Sequence, residues 1–110
     1  MYPPALTQTL VRAGRLGLPL MVTENGTWMD DDTRRWSFIA RHVAAMAQAM
    51  QQGARVVGYL YWSLLDNFEW AHGFAPRFGL VEVDYATQAR RVRESGLRFA
   101  EVCRTNRLMV

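Results

Sequence analysis

The stretch Leu18 to Gly26, LPLMVTENG, most constrains what this chain can fold into. The short apolar run Leu20-Met21-Val22, closed by Asn25 and Gly26, has the length and ending of a β-strand covered on both faces. Such a strand delivers one carboxylate, Glu24, at its C-terminal end, and the exit of a buried strand is where α/β folds place their chemistry. Turn chemistry alone offers a second account, because a solvated glutamate before Asn-Gly is ordinary in a loop.

Gly58 to Trp70, GYLYWSLLDNFEW, repeats that organisation. An apolar strand from Val56 to Trp62 gives way abruptly to Ser63, Asp66, Asn67, Glu69 and Trp70. Aromatic faces beside hydrogen-bonding groups suit a sugar, which offers C–H bonds on its faces and hydroxyls around its edge. Trp62 and Trp70 can stack or donate an indole N–H, and Glu69 can accept from two neighbouring hydroxyls. The plainer account makes the tryptophans core residues and Glu69 a solvated loop residue.

The segments between these stretches specify how they are connected. Tyr2-Pro3-Pro4 leads into a helix from Ala5 to Gly17, with Leu6, Leu10, Val11 and Ala13 at helical spacing. Asp30, Asp31 and Asp32 lack the alternating ligands and glycine turn of a Ca²⁺ loop. They are expected to cap a helix and complement its dipole. That helix spans about 33–52, with Trp36, Ile39, Val43, Met46, Ala47 and Met50 as its apolar stripe, His42 on the surface and Gly53 at its end. Strand, helix, strand with such a crossover predicts a parallel, right-handed βαβ unit. Leu80 to Asp84 alternates like a short extra strand. A last helix, about 94–106, is expected to turn Leu97, Ala100 and Cys103 to one side, with Cys103 a small core residue.

Composition narrows the function classes. The chain has 110 residues, half of them hydrophobic, and a net charge of +3. All its basic residues are arginines, six of them between Arg90 and Arg107. No nucleic-acid motif accompanies them, so a solvated basic helix face is expected rather than a nucleic-acid partner. No apolar run approaches the ~20 residues of a membrane span and no signal-peptide pattern is visible, which leads to the expectation of a cytoplasmic chain without a membrane partner.

The two motifs, TENG at Thr23 to Gly26 and YWSLLDNFEWAHGF followed by RFGLVEVDY at Tyr61 to Tyr85, resemble the C-terminal part of glycoside hydrolase family 1, the β-glucosidase family. The resemblance runs from Tyr2-Pro3 to about Cys103. It implies an α/β fold: about the last two βα units of a (β/α)₈ TIM barrel, a single incomplete domain over residues 1–110. A whole barrel takes ~250 residues. Met1 falls where the family has an interior residue, which is the expectation for a fragment or an internal start. Arg91-Val92 replaces the Thr-Pro usual before the last helix.

The resemblance also implies a mechanism. Retaining glycosidases set two carboxyls ~5 Å apart, one attacking the anomeric carbon and one protonating the leaving oxygen. Glu24 matches the nucleophile, with hydrogen bonds and a nearby cation expected to keep it ionised. Glu69 and Trp70 match residues that bind sugar hydroxyls, Trp62 matches the platform under the sugar, and Phe78 lines the pocket. His72 matches no catalytic role. Relatives acting on 6-phosphorylated glycosides generally lack a carboxylate at the Glu69 position, so an unphosphorylated glucoside, galactoside or fucoside is the implied ligand. No metal or cofactor is implied. The family's general acid lies in a Thr-x-Asn-Glu-Pro motif on an earlier strand, and these residues contain none. The isolated chain is therefore expected to be inactive, and two barrel strands with free edges are expected to pair with the rest of a barrel or to self-associate. A non-catalytic sugar-binding module and a structural fragment with idle motifs are the competing readings.

Overall fold

The computed structural model describes residues 2–108. Helix α1 (Pro4–Gly14), strand β1 (Leu20–Gly26), helix α2 (Asp32–Gln51) and strand β2 (Val56–Trp62) come first. A 3₁₀ turn at Trp70–His72 follows, then a hairpin of β3 (Val81–Val83) and β4 (Arg90–Val92), and helix α3 (Glu94–Thr105).

Helix starts follow local chemistry. Pro4 occupies the first turn of α1, where a missing N–H is no loss. Asp31 caps α2, its Oδ1 accepting the N–H groups of Thr33 at 2.9 Å and Arg34 at 3.2 Å. Asp32 reaches further: its carboxylate accepts the Ser95 N–H at 2.9 Å and the Ser95 hydroxyl at 2.6 Å, so the first turn of α2 caps α3.

Strands β1 and β2 pair in parallel, as the strand–helix–strand order predicts, and β3 pairs with β4 antiparallel. The β1–β2 register contains a bulge. Val22 opposes Tyr59 and Asn25 opposes Tyr61, three steps along β1 against two along β2. Val22 is buried with Leu10 of α1 and Ala49 of α2, and a second cluster joins Phe38, Ile39, Tyr61 and Leu80, with Phe99 of α3 against it. The opposite face of the sheet carries Met21 and Leu60, each 50% exposed, and Trp62. The expectation of cover on both faces of Leu20–Val22 is therefore corrected, because this chain's helices pack on one face only.

Four further expectations change for the same kind of reason. The stripe read from apolarity on α2 holds in part: Ile39 is fully buried and Trp36, Val43 and Met46 pack half-buried on the core, but Ala47 and Met50 are exposed and the fully covered face is Arg35, Phe38, Ile39, His42, Ala45 and Ala49. Helix α1 docks on one flank of α2 through the Thr7 hydroxyl, which donates to the Ala45 carbonyl at 2.8 Å, and this widens the covered arc. His42, expected on the surface, is buried, its ring stacked 3.9 Å from that of Phe38 and its Nδ1 2.8 Å from the Phe38 carbonyl. On α3 the packed residues are Ser95, Gly96, Phe99 and Val102, while Leu97, Ala100 and Cys103 are exposed, so Cys103 is not a core residue. The docking of Ser95 onto Asp32 sets that rotation. Arg93 also departs from the solvated basic face, with a side chain only 12% exposed and paired to Asp66.

The Cα radius of gyration is 15.0 Å, against about 13 Å for a compact domain of this length. The accessible surface is 7428 Å², against roughly 6,200 Å² for a compact chain of this mass. An open sheet face and unpaired strand edges account for the excess.

Candidate functional site

The site is built at the C-terminal ends of β1 and β2. With regular alternation Glu24 would share the helix-packed face with Val22. The bulge shifts that alternation: Asn25 stands opposite Tyr61 on the packed side, and Glu24 opens toward the exposed side that carries Leu60 and Trp62. The Tyr59 hydroxyl donates to Asn25 Oδ1 at 2.8 Å and holds the strand end beside Glu24. Gly26 opposes Trp62 so closely that only a residue without a β-carbon fits. Among the described residues no side-chain hydrogen bond or ion pair reaches Glu24, so none of them supplies the cation expected beside it.

Beyond Trp62 the chain forms a loop whose ends are tied and whose tip is open. The Ser63 hydroxyl donates to the Leu65 carbonyl at 2.7 Å and accepts from the Asn67 amide at 3.0 Å. The Glu69 N–H donates to the Gly73 carbonyl at 2.6 Å, and the Glu69 carbonyl accepts from the His72 N–H at 2.9 Å. Trp70 has a φ of 47° and is 82% exposed, so it is not a core residue. Phe68 meets Phe74 edge-to-face and Phe74 meets Tyr85 at a tilt, with centroids 5.3 and 4.4 Å apart, and the Arg77 guanidinium lies 5.1 Å over the Tyr85 ring. The chain returns at half-buried Phe78, whose carbonyl accepts from the Ser63 N–H at 3.4 Å.

Gly26, two residues after Glu24, pairs with Trp62, and Ser63, next to Trp62, bonds to Phe78, while Glu69 and Trp70 sit on the loop between Trp62 and Phe78. No hydrogen bond joins Glu69 or Trp70 to Glu24 among the described residues. His72 is exposed in the 3₁₀ turn.

Buried charges below the site were not singled out from the sequence. Arg35 is fully buried; it pairs with Asp32 at 3.1 Å and donates to the carbonyls of Met29 and, at 2.8 Å, Arg77. It ties the loop after β1 to the return of the loop after β2. Nothing in its local sequence marks it among thirteen arginines. Burial acts to raise the Asp66 carboxyl pKa, yet hydrogen bonds from Arg93 and the Gly79 N–H outweigh it and hold that group below the usual carboxylate range. Burial pushes the Tyr61 hydroxyl up to about 12, against the opposing pull of Arg35. Tyr59 is raised as well, first by burial and then by Tyr61.

A family model described as glycosyl hydrolase family 1 matches residues 1–108. The β-galactosidase of Sulfolobus acidocaldarius is 42% identical over 106 residues, 96% of this chain and 22% of that protein. β-Glucosidase A of Thermotoga maritima is 43% identical over 96 residues, 79% of this chain and 22% of that protein. The solved β-glycosidase of Pyrococcus horikoshii superposes with a TM-score of 0.95 at 45% identity, covering 99% of this chain and 26% of that one. The Thermotoga maritima β-glucosidase in complex with deoxynojirimycin gives 0.94 at 36% identity, covering 98% and 27%. The chain therefore spans about a quarter of the length of these relatives, and its parallel strands and helices form a partial α/β unit of their TIM-barrel fold. On the family model and these superpositions together, the chain belongs to glycosyl hydrolase family 1.

Proposed function

We propose that this chain is the C-terminal segment of a retaining β-glucosidase, in which Glu24 is the nucleophile and Trp62, Glu69, Trp70 and Phe78 hold the sugar. The observation that carries the reading is the β1 bulge, which turns Glu24 out on the same sheet face as Trp62. Two relatives bear the names β-glucosidase and β-galactosidase, and one related structure holds deoxynojirimycin, a sugar-like molecule. Attack on an anomeric carbon requires a carboxylate nucleophile, and an aromatic face beside it suits the C–H face of a sugar. The ligand class is an unphosphorylated β-glucoside or a close relative, since Glu69 would repel a phosphate.

Turnover needs a second carboxyl to protonate the leaving oxygen, and loss of an acid/base group alone lowers rates ~10²- to 10⁴-fold. These residues hold no Asn-Glu-Pro segment. By itself the chain is inactive, and it acts when the remainder of a barrel supplies that acid. Steady nitrophenol release from an aryl glucoside by the purified chain, abolished in Glu24→Gln, would overturn the inactivity. Calorimetry with glucose or cellobiose tests the sugar contacts, and absence of any heat at millimolar sugar would count against them. The unpartnered state of Glu24 favours a second reading for the chain alone, a sugar-binding segment without turnover; measurable binding with no hydrolysis is its signature.

A further inference from the structure

We propose that Asp66 is a positioning residue: with Arg93 it forms a buried clasp at the base of the loop spanning residues 67–78 and thereby sets where Glu69 and Trp70 stand. The proposal rests on the sugar-holding reading of those two residues and extends it to a group that touches no sugar.

The Asp66 side chain is fully buried, and its two oxygens collect donors from separate segments. Oδ1 accepts the Gly79 N–H at 2.9 Å and Arg93 Nη1 at 3.2 Å. Oδ2 accepts Arg93 Nη2 at 2.9 Å and, at 3.4 Å each, Arg77 Nη1 and the Val83 N–H. Arg93 in turn donates from Nη1 to the Gly79 carbonyl at 2.7 Å and from its backbone N–H to the Leu80 carbonyl at 2.9 Å. The loop leaves the barrel unit at Asp66 and comes back at Gly79, so one carboxylate holds both of its ends. The fit is close: a β-carbon on Gly79 would stand 2.3 Å from the Asp66 nitrogen.

The tip of the loop is exposed, and apart from the clasp the segment is held by the Phe68–Phe74–Tyr85 ring contacts and by the Arg35 bond to the Arg77 carbonyl. Phe68 is 56% exposed, Phe74 50% and Trp70 82%. A loop with an open tip and a buried, charged base takes its orientation from the base. An amide at position 66 keeps the shape but offers one acceptor oxygen where two donor sets converge, and its NH₂ group faces the Arg93 fork. A lysine at position 93 keeps the charge but cannot span both oxygens.

The test uses the purified 110-residue chain, the variants Asp66→Asn and Arg93→Lys, and Arg91→Ala as an exposed control. Helix content by circular dichroism reports the fold, amide exchange reports the Gly79 and Val83 N–H groups, and the indole N–H resonances of Trp62 and Trp70 are titrated with deoxynojirimycin. The expected result is retained helix content, at least tenfold faster exchange at Gly79 and Val83, a shifted Trp70 indole signal, and at least tenfold weaker deoxynojirimycin response in Asp66→Asn, with a smaller loss in Arg93→Lys and none in Arg91→Ala. Wild-type exchange at Gly79 and Val83 in a folded Asp66→Asn chain would overturn the clasp, and an unchanged deoxynojirimycin response despite faster exchange would overturn its positioning role. If Asp66→Asn does not fold, Arg93→Lys decides by the same two criteria. No response in the wild type is a failure of the sugar-holding reading alone; the clasp is then judged by the Trp70 indole position, which must move in the variants if Asp66 sets the loop.

Discussion

Gly26 and Trp62 stand closer than any side chain would permit: a β-carbon on Gly26 would lie 1.8 Å from the Trp62 carbonyl oxygen and 2.8 Å from the carbonyl carbon. Both obstructing atoms are backbone, so neither can swing aside. The two strand ends that carry Glu24 and Trp62 are therefore held together by a glycine, and Gly26→Ala must separate them. A loss of about 3 kcal/mol is expected, at the upper end of overpacking effects. Gly58→Ala is the control, since a β-carbon there meets only the flexible end of Met21, with Cε at 3.2 Å. Urea unfolding of both variants checks the contrast, and equal losses would contradict it.

Arg35→Met should destabilise the chain by about 3 kcal/mol, because it strips a fully buried cation from Asp32, removes the side-chain donor to the Met29 carbonyl and leaves the Arg77 carbonyl only the long 3.5 Å bond from the Met29 N–H. Arg91→Ala removes an exposed pair with Glu82 and should change stability by no more than about 0.5 kcal/mol. Chemical denaturation midpoints at one pH and one salt concentration decide between these outcomes.

Tyr61 predicts an alkaline limit. Its ordinary value is 10.0 and burial raises it to about 12 in the folded chain. A hydroxyl harder to ionise when folded adds stability that is complete below about pH 10 and disappears as pH rises through about 12. Tyr59 shifts in the same direction, so Tyr61→Phe should make the decline between pH 10 and 12 shallower without abolishing it. The buried Tyr61 hydroxyl makes no well-formed hydrogen bond among the described residues, with only the Thr27 backbone near enough to act on it, so the variant should match or slightly exceed wild-type stability at pH 7. Unfolding curves at pH 8, 10 and 11.5 are the measurement.

Trp70 holds a left-handed backbone while exposing its ring, a combination that brings it neither packing nor an easy conformation. Trp70→Gly should leave the melting curve almost unmoved, within about 1 kcal/mol, because relief of the backbone offsets the added freedom of glycine in the unfolded chain. It should nonetheless remove any response to glucose or deoxynojirimycin. A large stability loss would show that the ring packs in the folded chain.

Much of the architecture was legible because it rests on short-range chemistry. An apolar triplet stopped by Asn25-Gly26, an aspartate before a helical repeat and a second apolar strand give β1, α2 and β2 in order, and strands joined by such a crossover pair in parallel. Asp31 caps α2 through neighbours two and three residues away, well within reach of sequence reasoning. The cluster of Trp62, Glu69 and Trp70, read from the sequence as a candidate sugar contact, likewise lies within nine consecutive residues.

What needed three dimensions involves partners far apart in the chain. Asp32 and Ser95 are 63 positions apart, and their contact sets the face that α3 buries, leaving Cys103 outside. Thr7 and Ala45, 38 positions apart, widen the covered arc of α2 until His42 falls inside it. Asp66 reads from the sequence as one polar loop residue among several; its burial follows from Arg93, 27 positions on, arriving with a fork that matches its two oxygens. Residue types and their local spacing are enough to choose a helix or a strand, because propensity and capping act over a few residues. Which face is covered, which charge is paired and which way Glu24 opens depend on surfaces brought together by the whole fold.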